Sequence, residues 1–160
     1  MKVTLITSLN ERPDISRIML NTFIRLKSQF TINGLAACTS QADKDLCDEY
    51  SMPWVDADNT TAGRKWNAVL NAALKYDELA THFLIMGDDD SISSEGFSLL
   101  VDHAMAGHDY VGFKQNYFVD TQSDKAHTHS QPHLADKLIG CGALISRKAI
   151  VNCCDVMEID

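Results

Sequence analysis

Three consecutive aspartates, Asp88, Asp89 and Asp90, follow the apolar segment 82–86 and Gly87. Carboxylates this close repel one another, so a bound cation or several backbone N–H donors would stabilise them. Mg²⁺ and Mn²⁺ prefer oxygen ligands, and Mg²⁺ often shares one or two carboxylates with substrate phosphates. Because alternate residues of an extended segment point the same way, we expect Asp88 and Asp90 to face one metal and Asp89 to point elsewhere. The alternative is a set of aspartates that caps the next helix.

The hydrophobic pattern predicts the elements that position these aspartates. Strands are expected at 3–9, 35–39, 52–55, 82–86, 110–113 with an irregular continuation to 119, and 138–146. Helices are expected from Pro13 to about 26 and at 42–50, 62–76, 93–106 and 147–154, with a turn at Asn33-Gly34 and a mobile loop at about 120–136. This alternation indicates an α/β three-layer sandwich with a mainly parallel central sheet. Ligands bind such sheets at the carboxyl ends of strands, where the aspartates lie.

Length and composition narrow the class of protein. The chain has 160 residues, 45% hydrophobic and 22% charged, and shows no repeat or linker, so we expect one domain over 1–160. A net charge of −8 does not favour nucleic acid as the main partner, although it leaves a nucleic acid acceptor open. No apolar run reaches the roughly 20 residues that span a bilayer, and the N-terminus lacks a secretory pattern. A cytoplasmic location is therefore expected.

Several segments, in order along the chain, resemble GT-A fold glycosyltransferases, especially the family-2-like group. Segment 83–90 resembles that group's strand followed by Asp-x-Asp, and segment 63–68 (GRKWNA) resembles its preceding Gly-x-x-x-Asn helix. Segment 139–149 (IGCGALISRKA) resembles its later Gly-x-Gly-x-x-x-Ser-Arg strand, and residues 10–13 are placed like the nucleotide-binding first loop. The resemblance implies a nucleotide-diphospho-sugar transferase-like fold of the GT-A type.

The resemblance also implies a set of site residues. Those expected to contact the donor are Thr7, Ser8, Arg12, Arg64, Asn67, Asp88, Asp89 and Gly142, while Asp88 and Asp90 are expected to hold Mn²⁺ or Mg²⁺. The guanidinium of Arg64 suits bidentate contact with phosphate oxygens, but it also suits an exposed position in the first turn of a helix. Gly142 would allow the backbone to approach a ligand closely, or it marks a bulge in a strand.

The leading functional prediction is an enzyme, a metal-dependent glycosyltransferase. It would move a sugar from a UDP- or GDP-linked donor to an unknown hydroxyl acceptor. A cation held by Asp90, assisted by Asp88, would offset the charge that develops on the leaving diphosphate. If the anomeric centre inverts, a carboxylate must deprotonate the acceptor. Glu158 and Asp160 are the candidates, although no motif selects either.

Two other functions fit the same pattern. Nucleotidyltransferases of similar fold also use metal-binding aspartates. Those enzymes resemble one another in a glycine-rich loop after the first strand, whereas residues 8–13 of this chain contain no glycine. A non-catalytic nucleotide-sugar-binding or scaffold domain is the third candidate, since family members usually continue further past the Gly-x-Gly strand. His127, His129 and His133 predict a zinc site, a solvated loop, or a lid over the donor.

Overall fold

The computed structural model of the protein describes residues 1–58, 60–114, 116–120, 125–129 and 142–154. Within these ranges the central sheet has six strands in the order β3-β2-β1-β4-β8-β5. Its strands are β1 (Val3–Ser8), β2 (Ile32–Cys38), β3 (Trp54–Asp56), β4 (His82–Ile85), β5 (Tyr110–Val111) and β8 (Ala143–Ser146). β1 pairs in parallel with β2 and β4, and β2 with β3, whereas β8 is antiparallel to both β4 and β5.

Helices cover both faces of this sheet. They are α1 (Pro13–Gln29), α2 (Gln41–Glu49), α3 (Ala62–Tyr76), α4 (Ser94–Met105) and α5 (Arg147–Cys154). Buried side chains of α1, α2 and α4 belong to one hydrophobic cluster, and those of α3 and α5 belong to a second cluster. The predicted α/β sandwich with a mainly parallel sheet is confirmed. No helix in the described part of the chain combines the length and apolar character that crossing a bilayer requires.

Side-chain caps set the starts of three helices. The Ser40 side chain accepts from the backbone N–H of Asp43 and begins α2 with a capping box. Thr61 accepts from the N–H of Arg64 at the start of α3, and Ser93 accepts from that of Gly96 at the start of α4. These local contacts explain why the predicted helix starts agree with the structure to within one residue.

The predicted turn at Asn33-Gly34 is wrong, because both residues lie inside β2. The Asn33 side chain donates to the Asp77 carboxylate over 2.7 Å, which holds it against the loop after α3. A Cβ on Gly34 would lie 2.8 Å from Met52 Cε and from an atom of the Phe23 ring. The glycine therefore serves close packing of α1 on the sheet, which a local turn signal does not reveal.

We expect Gly34→Ala to lower the free energy of unfolding by about 1–3 kcal/mol, since the added methyl overpacks a filled site. The matched control is Gly63→Ala in α3, where a Cβ would meet nothing within 4 Å. Urea titration followed by circular dichroism measures both variants. Equal midpoints for the two would contradict the packing reason.

The predicted loop at 120–136 differs from the structure in part. A separate two-stranded antiparallel sheet pairs β6 (Asn116–Asp120) with β7 (Lys125–His129), so part of this segment is strand. The backbone of His127 and His129 lies in β7, and Asn116 pairs with His129. Residues 121–124 and 130–141, including His133, lie outside the described residues. Of the predicted strand 138–146, residues 138–141 are among them, while residues 143–146 form β8.

Candidate functional site

The three aspartates lie in a turn at the carboxyl end of β4, next to the end of β1. Residues 87–90 form this aspartate turn: the N–H of Asp90 donates to the carbonyl of Gly87 over 3.2 Å, and the N–H of Gly87 donates to Asp90 Oδ2 over 2.7 Å. From β1 the chain continues to β2 and β3 on one side of β1, and it then returns to β4 on the other side. The turn after β4 therefore lies at the topological switch point, where open α/β sheets bind ligands. Because the segment turns, the extended alternation expected for Asp88 and Asp90 does not apply.

Asp88 is directed into the protein, with only 2% of its surface exposed. Its Oδ1 accepts from Arg12 Nη2 over 2.6 Å and from Asn10 Nδ2 over 3.4 Å. Its Oδ2 accepts from the hydroxyl of Ser16 over 3.2 Å. The buried charge is thus compensated by an ion pair and two neutral donors, all within residues 10–16. Both oxygens of Asp88 are thus engaged by protein donors, and the metal role expected for Asp88 together with Asp90 stays a prediction.

Residues 9–12, the first loop, join β1 to α1 and meet this carboxylate. Arg12 also lies 3.6 Å from Asp89 Oδ2. The hydrogen bond that Arg12 donates to Asp88 raises the pKa of the Arg12 guanidinium, which stays charged. Glu11 adopts a φ of 58°, a conformation uncommon for a residue with a side chain. Its backbone N–H donates to the buried carboxylate of Asp43 in α2 over 3.1 Å, which stabilises that conformation.

Asp89 and Asp90 direct carboxylate oxygens over the same residue, Gly87. Asp89 Oδ1 and Asp90 Oδ2 both lie 3.0 Å from the point that a Cβ on Gly87 would occupy, so a side chain there would crowd them. We call this pair of carboxylates over the glycine the cradle. Oxygen ligands in such a cradle fit Mg²⁺ or Mn²⁺, which complete their shells with water and phosphate. Among the described residues, no group of three or more His, Cys, Asp or Glu side chains is placed to hold a metal. The metal site therefore stays a prediction, with Asp89 and Asp90 as its best-placed ligands.

A pocket of about 450 Å³ opens beside the aspartate turn, between α3 and the ends of β1 and β4. Trp66, Asn67 and Leu70 of α3 line one wall, and the rest of the lining is Ile6, Ile85, Gly87 and Asp90. This volume is in the range of small-molecule sites, and an apolar wall with few polar groups is their usual composition. Trp66 offers a flat apolar surface while Asn67 and Asp90 supply the polar groups.

Lys65 is not among the residues predicted to contact the donor, yet it lies at this site. It is among the largest fully buried side chains, with 2% exposure. Its Nζ donates to the carbonyl of Leu9 over 2.6 Å and to Asn10 Oδ1 over 2.7 Å, so α3 is attached to the first loop. The signal was present in the pattern: Lys65 stands four residues before Val69 and eight before Ala73, on the buried stripe of α3.

The residues expected at the end of β1 lie on opposite faces of the sheet. Ile6 lines the pocket on the α3 face, whereas Leu5 and Leu9 belong to the cluster on the α1 face. Strand alternation therefore places Ser8 on the pocket face and Thr7 on the other. Thr7 is fully buried, and among the described residues its hydroxyl is the single buried side-chain oxygen or nitrogen without a hydrogen-bond partner. Of the two, Ser8 is the better placed to meet a ligand.

The other residues that were predicted to contact the donor substrate lie in different parts of the fold. Asn67 lines the pocket, while Arg64 is 70% exposed at the start of α3 and lies 3.6 Å from Asp58. Gly142 has a φ of 67°, a left-handed conformation that favours glycine, just before β8. Glu158 and Asp160 lie outside the described residues, so their proposed role as a base stays a prediction.

The fold is shared with solved enzymes of low sequence identity. A 4-diphosphocytidyl-2C-methyl-D-erythritol synthase matches with a TM-score of 0.65 and 9% identity over 99% of this chain and 80% of that one. A CMP:2-keto-3-deoxy-manno-octonic acid synthetase complexed with CTP gives 0.64 and 12% over 99% and 80%. A second 4-diphosphocytidyl-2C-methyl-D-erythritol synthase, from Anaerococcus prevotii DSM 20548, gives 0.59 and 16% over 99% and 78%.

The chain has a nucleotide-diphospho-sugar transferase-like fold. The GT-A-type architecture expected from the sequence is thereby supported, although these neighbours are nucleotidyltransferases and not glycosyltransferases. No protein-family model matches the chain, and a search of curated proteins gives no match. At such low identities the neighbours establish the fold alone, and the chemistry must be argued from the site.

Proposed function

We propose that this protein is a nucleotide-dependent transferase whose substrate nucleotide binds in the pocket beside the aspartate turn. The observation that carries the proposal is the joining of an apolar pocket and two carboxylates at one point, the switch point between β1 and β4. A nucleobase stacks on an aromatic side chain such as Trp66, and the phosphates then extend toward Asp89 and Asp90. A divalent cation bound there would supply charge neutralisation to the phosphates.

Nucleotidyl transfer is the reaction that the comparisons favour. The three neighbours are nucleotidyltransferases, and one of them was solved with CTP. In that reaction an acceptor oxygen attacks the α-phosphorus of a nucleoside triphosphate, the bond to the β-phosphate oxygen breaks, and pyrophosphate leaves. The pocket wall of Trp66 and Leu70 serves a pyrimidine base, and Asn67 offers both a donor and an acceptor to its edge.

Glycosyl transfer is the second candidate, and the first loop favours it. A triphosphate needs several free cationic groups or backbone donors, but this loop has no glycine and Arg12 is paired with Asp88. Lys65 donates to Leu9 and Asn10 of the same loop. A nucleoside-diphosphate sugar carries less charge and suits this site better. An acceptor hydroxyl would attack the anomeric carbon, and the nucleoside diphosphate would leave.

Calorimetry with CTP, UDP and GDP, each with and without Mn²⁺, tests whether a nucleotide binds in the pocket, which both candidate reactions require. We expect Trp66→Ala to weaken binding of the preferred nucleotide by about five- to a hundredfold, because base stacking on an aromatic ring contributes roughly 1–3 kcal/mol. Tyr76→Ala is the matched control, an exposed aromatic residue at the other end of α3. Absence of binding by the parent protein, or equal binding by both variants, would refute the pocket assignment.

Product analysis then separates the reactions. Pyrophosphate release from CTP in the presence of an acceptor panel supports nucleotidyl transfer. Release of UDP or GDP from the corresponding nucleotide sugars supports glycosyl transfer. Nucleotide binding with neither release nor transfer over a broad panel supports the third candidate, a non-catalytic nucleotide-sugar-binding domain.

A further inference from the structure

Two buried side chains of opposite charge meet at one residue of the first loop. Lys65 from α3 donates to Asn10 Oδ1 over 2.7 Å, and the Asn10 amide group donates to Asp88 Oδ1 over 3.4 Å. Lys65 and Asp88 are each 2% exposed, while Asn10 is exposed. The amide is therefore oriented by charge, with its oxygen toward the ammonium and its nitrogen toward the carboxylate. The first loop is attached on one side to α3 and on the other to the aspartate turn.

All of the hydrogen bonds described for the Asp88 carboxylate come from this loop and the start of α1. Arg12 and Asn10 donate to Oδ1, and Ser16 donates to Oδ2. A cation at Asp88 would have to displace the Arg12 ion pair of 2.6 Å, a charge-assisted contact that is stronger than a neutral hydrogen bond. Asp89, by contrast, is exposed, and Asp90 lines the pocket. The three neighbouring carboxylates thus divide into one that is buried and paired and two that solvent or a ligand can reach.

We infer that Asp88 and Lys65 are positioning residues that hold the first loop in shape, and that Asp88 is not a ligand of the metal. This departs from the role that the Asp-x-Asp resemblance implies for Asp88. This positioning role rests on the proposed function only because a nucleotide is taken as the ligand that contacts the first loop. Asp88 acts through Arg12 and Asn10, and a bound cation would be left to Asp89 and Asp90.

Hydrogen exchange in the nucleotide-free protein tests the positioning role. The reporter is the N–H of Glu11, which donates to Asp43 and so has an acceptor separate from both Lys65 and Asp88. We expect Asp88→Asn and Lys65→Met each to speed its exchange by about tenfold or more, since hydrogen bonds to charged groups contribute roughly 1.5–3 kcal/mol. Lys75→Met, an exposed lysine of the same helix, should leave the rate unchanged. An unchanged rate in both loop variants would overturn the inference.

Asn10→Ala covers the case in which a buried variant fails to fold. Asn10 is exposed, and its removal breaks the link between Lys65 and Asp88 without opening a cavity. Lys65 keeps the carbonyl of Leu9, and Asp88 keeps Arg12 and Ser16. Faster exchange at Glu11 in Asn10→Ala supports the inference, while exchange at the parent rate in this folded variant contradicts it.

Titration with Mn²⁺ alone, followed by electron paramagnetic resonance, tests the metal assignment. A positioning role predicts that Asp88→Asn binds Mn²⁺ within about twofold of the parent protein. Asp90→Asn, which removes a carboxylate of the cradle, should weaken Mn²⁺ binding by about tenfold or more. If Asp88→Asn weakens Mn²⁺ binding as much as Asp90→Asn does, the assignment is refuted.

The outcomes separate this inference from the proposed function. If the parent protein binds no nucleotide, the proposed function fails, while the exchange rates of Glu11 still decide whether Lys65 and Asp88 hold the loop. If the parent binds nucleotide but Asp88→Asn and Lys65→Met exchange like the parent, the positioning role fails and the proposed function stands.

Discussion

Asp90→Asn is expected to weaken nucleotide binding in the presence of Mn²⁺ by on the order of a hundredfold, since a bound cation contributes several kcal/mol of charge stabilisation at phosphates. The asparagine oxygen can still accept from the N–H of Gly87, so the turn is retained. What is lost is the carboxylate charge beside the cradle and the pocket. Any transferase activity should decrease at least in proportion.

Calorimetry with and without Mn²⁺ measures this effect. Without the metal, Asp90→Asn should bind as the parent does or slightly better, because a negative charge near the phosphates has been removed. Asp102→Asn is the matched control, with the same change of charge at an exposed position of α4. If Asp90→Asn binds the metal-nucleotide as tightly as the parent, Asp90 does not hold the cation.

Asp77→Ala is expected to produce the largest loss of stability, about 3 kcal/mol at neutral pH, because it leaves buried donors without their acceptor. The Asp77 carboxylate accepts from Lys2 over 2.7 Å, from Thr4 over 2.9 Å and from Asn33 over 2.7 Å. These donors belong to β1, β2 and the residue before β1, so one side chain after α3 joins the ends of two strands. Glu78→Ala, an exposed neighbour, is the control and should be close to neutral.

The same carboxylate makes part of the stability depend on pH. Burial by itself raises the pKa of Asp77, but hydrogen bonds from Lys2, Asn33 and Thr4 outweigh it, and the net pKa is lowered. A group whose folded pKa is below its unfolded value, about 3.9 for aspartate, stabilises the fold above that value. Its contribution is lost as the pH falls through the folded pKa. The difference in unfolding free energy between the parent and Asp77→Ala should therefore shrink below about pH 4, as urea titrations at several pH values would show.

The local hydrophobic pattern was sufficient to predict the order and type of most helices and strands. The stripe that predicts a helix at 62–76 has the same bounds as α3, and the segment 147–154 matches α5. Such predictions succeed because helical and strand periodicity is a property of consecutive residues. The fold class and the position of the aspartates at a strand end followed from the same pattern. The cytoplasmic location and the catalytic base at Glu158 or Asp160 stay predictions.

Where local pattern and packing disagreed, packing decided. Asn33-Gly34 has the composition of a turn, yet Met52, Phe23 and Asp77 hold it inside β2. These partners come from other elements, and their contact with the glycine depends on how α1 lies across the sheet. Tertiary contacts of this kind override a local preference, since the burial of apolar side chains contributes more free energy than the turn.

The sequence by itself determined that three carboxylates follow a buried strand of an α/β domain. Only the tertiary structure decided what these groups do. Asp88 and Arg12 are 76 residues apart in the chain, and Lys65 and Leu9 are 56 apart, so no local pattern relates them. A buried charge must find a partner wherever the fold supplies one. The fold supplies Arg12, Asn10 and Ser16 as donors to Asp88, so its charge can be buried, whereas Asp89 is exposed and Asp90 lines the pocket.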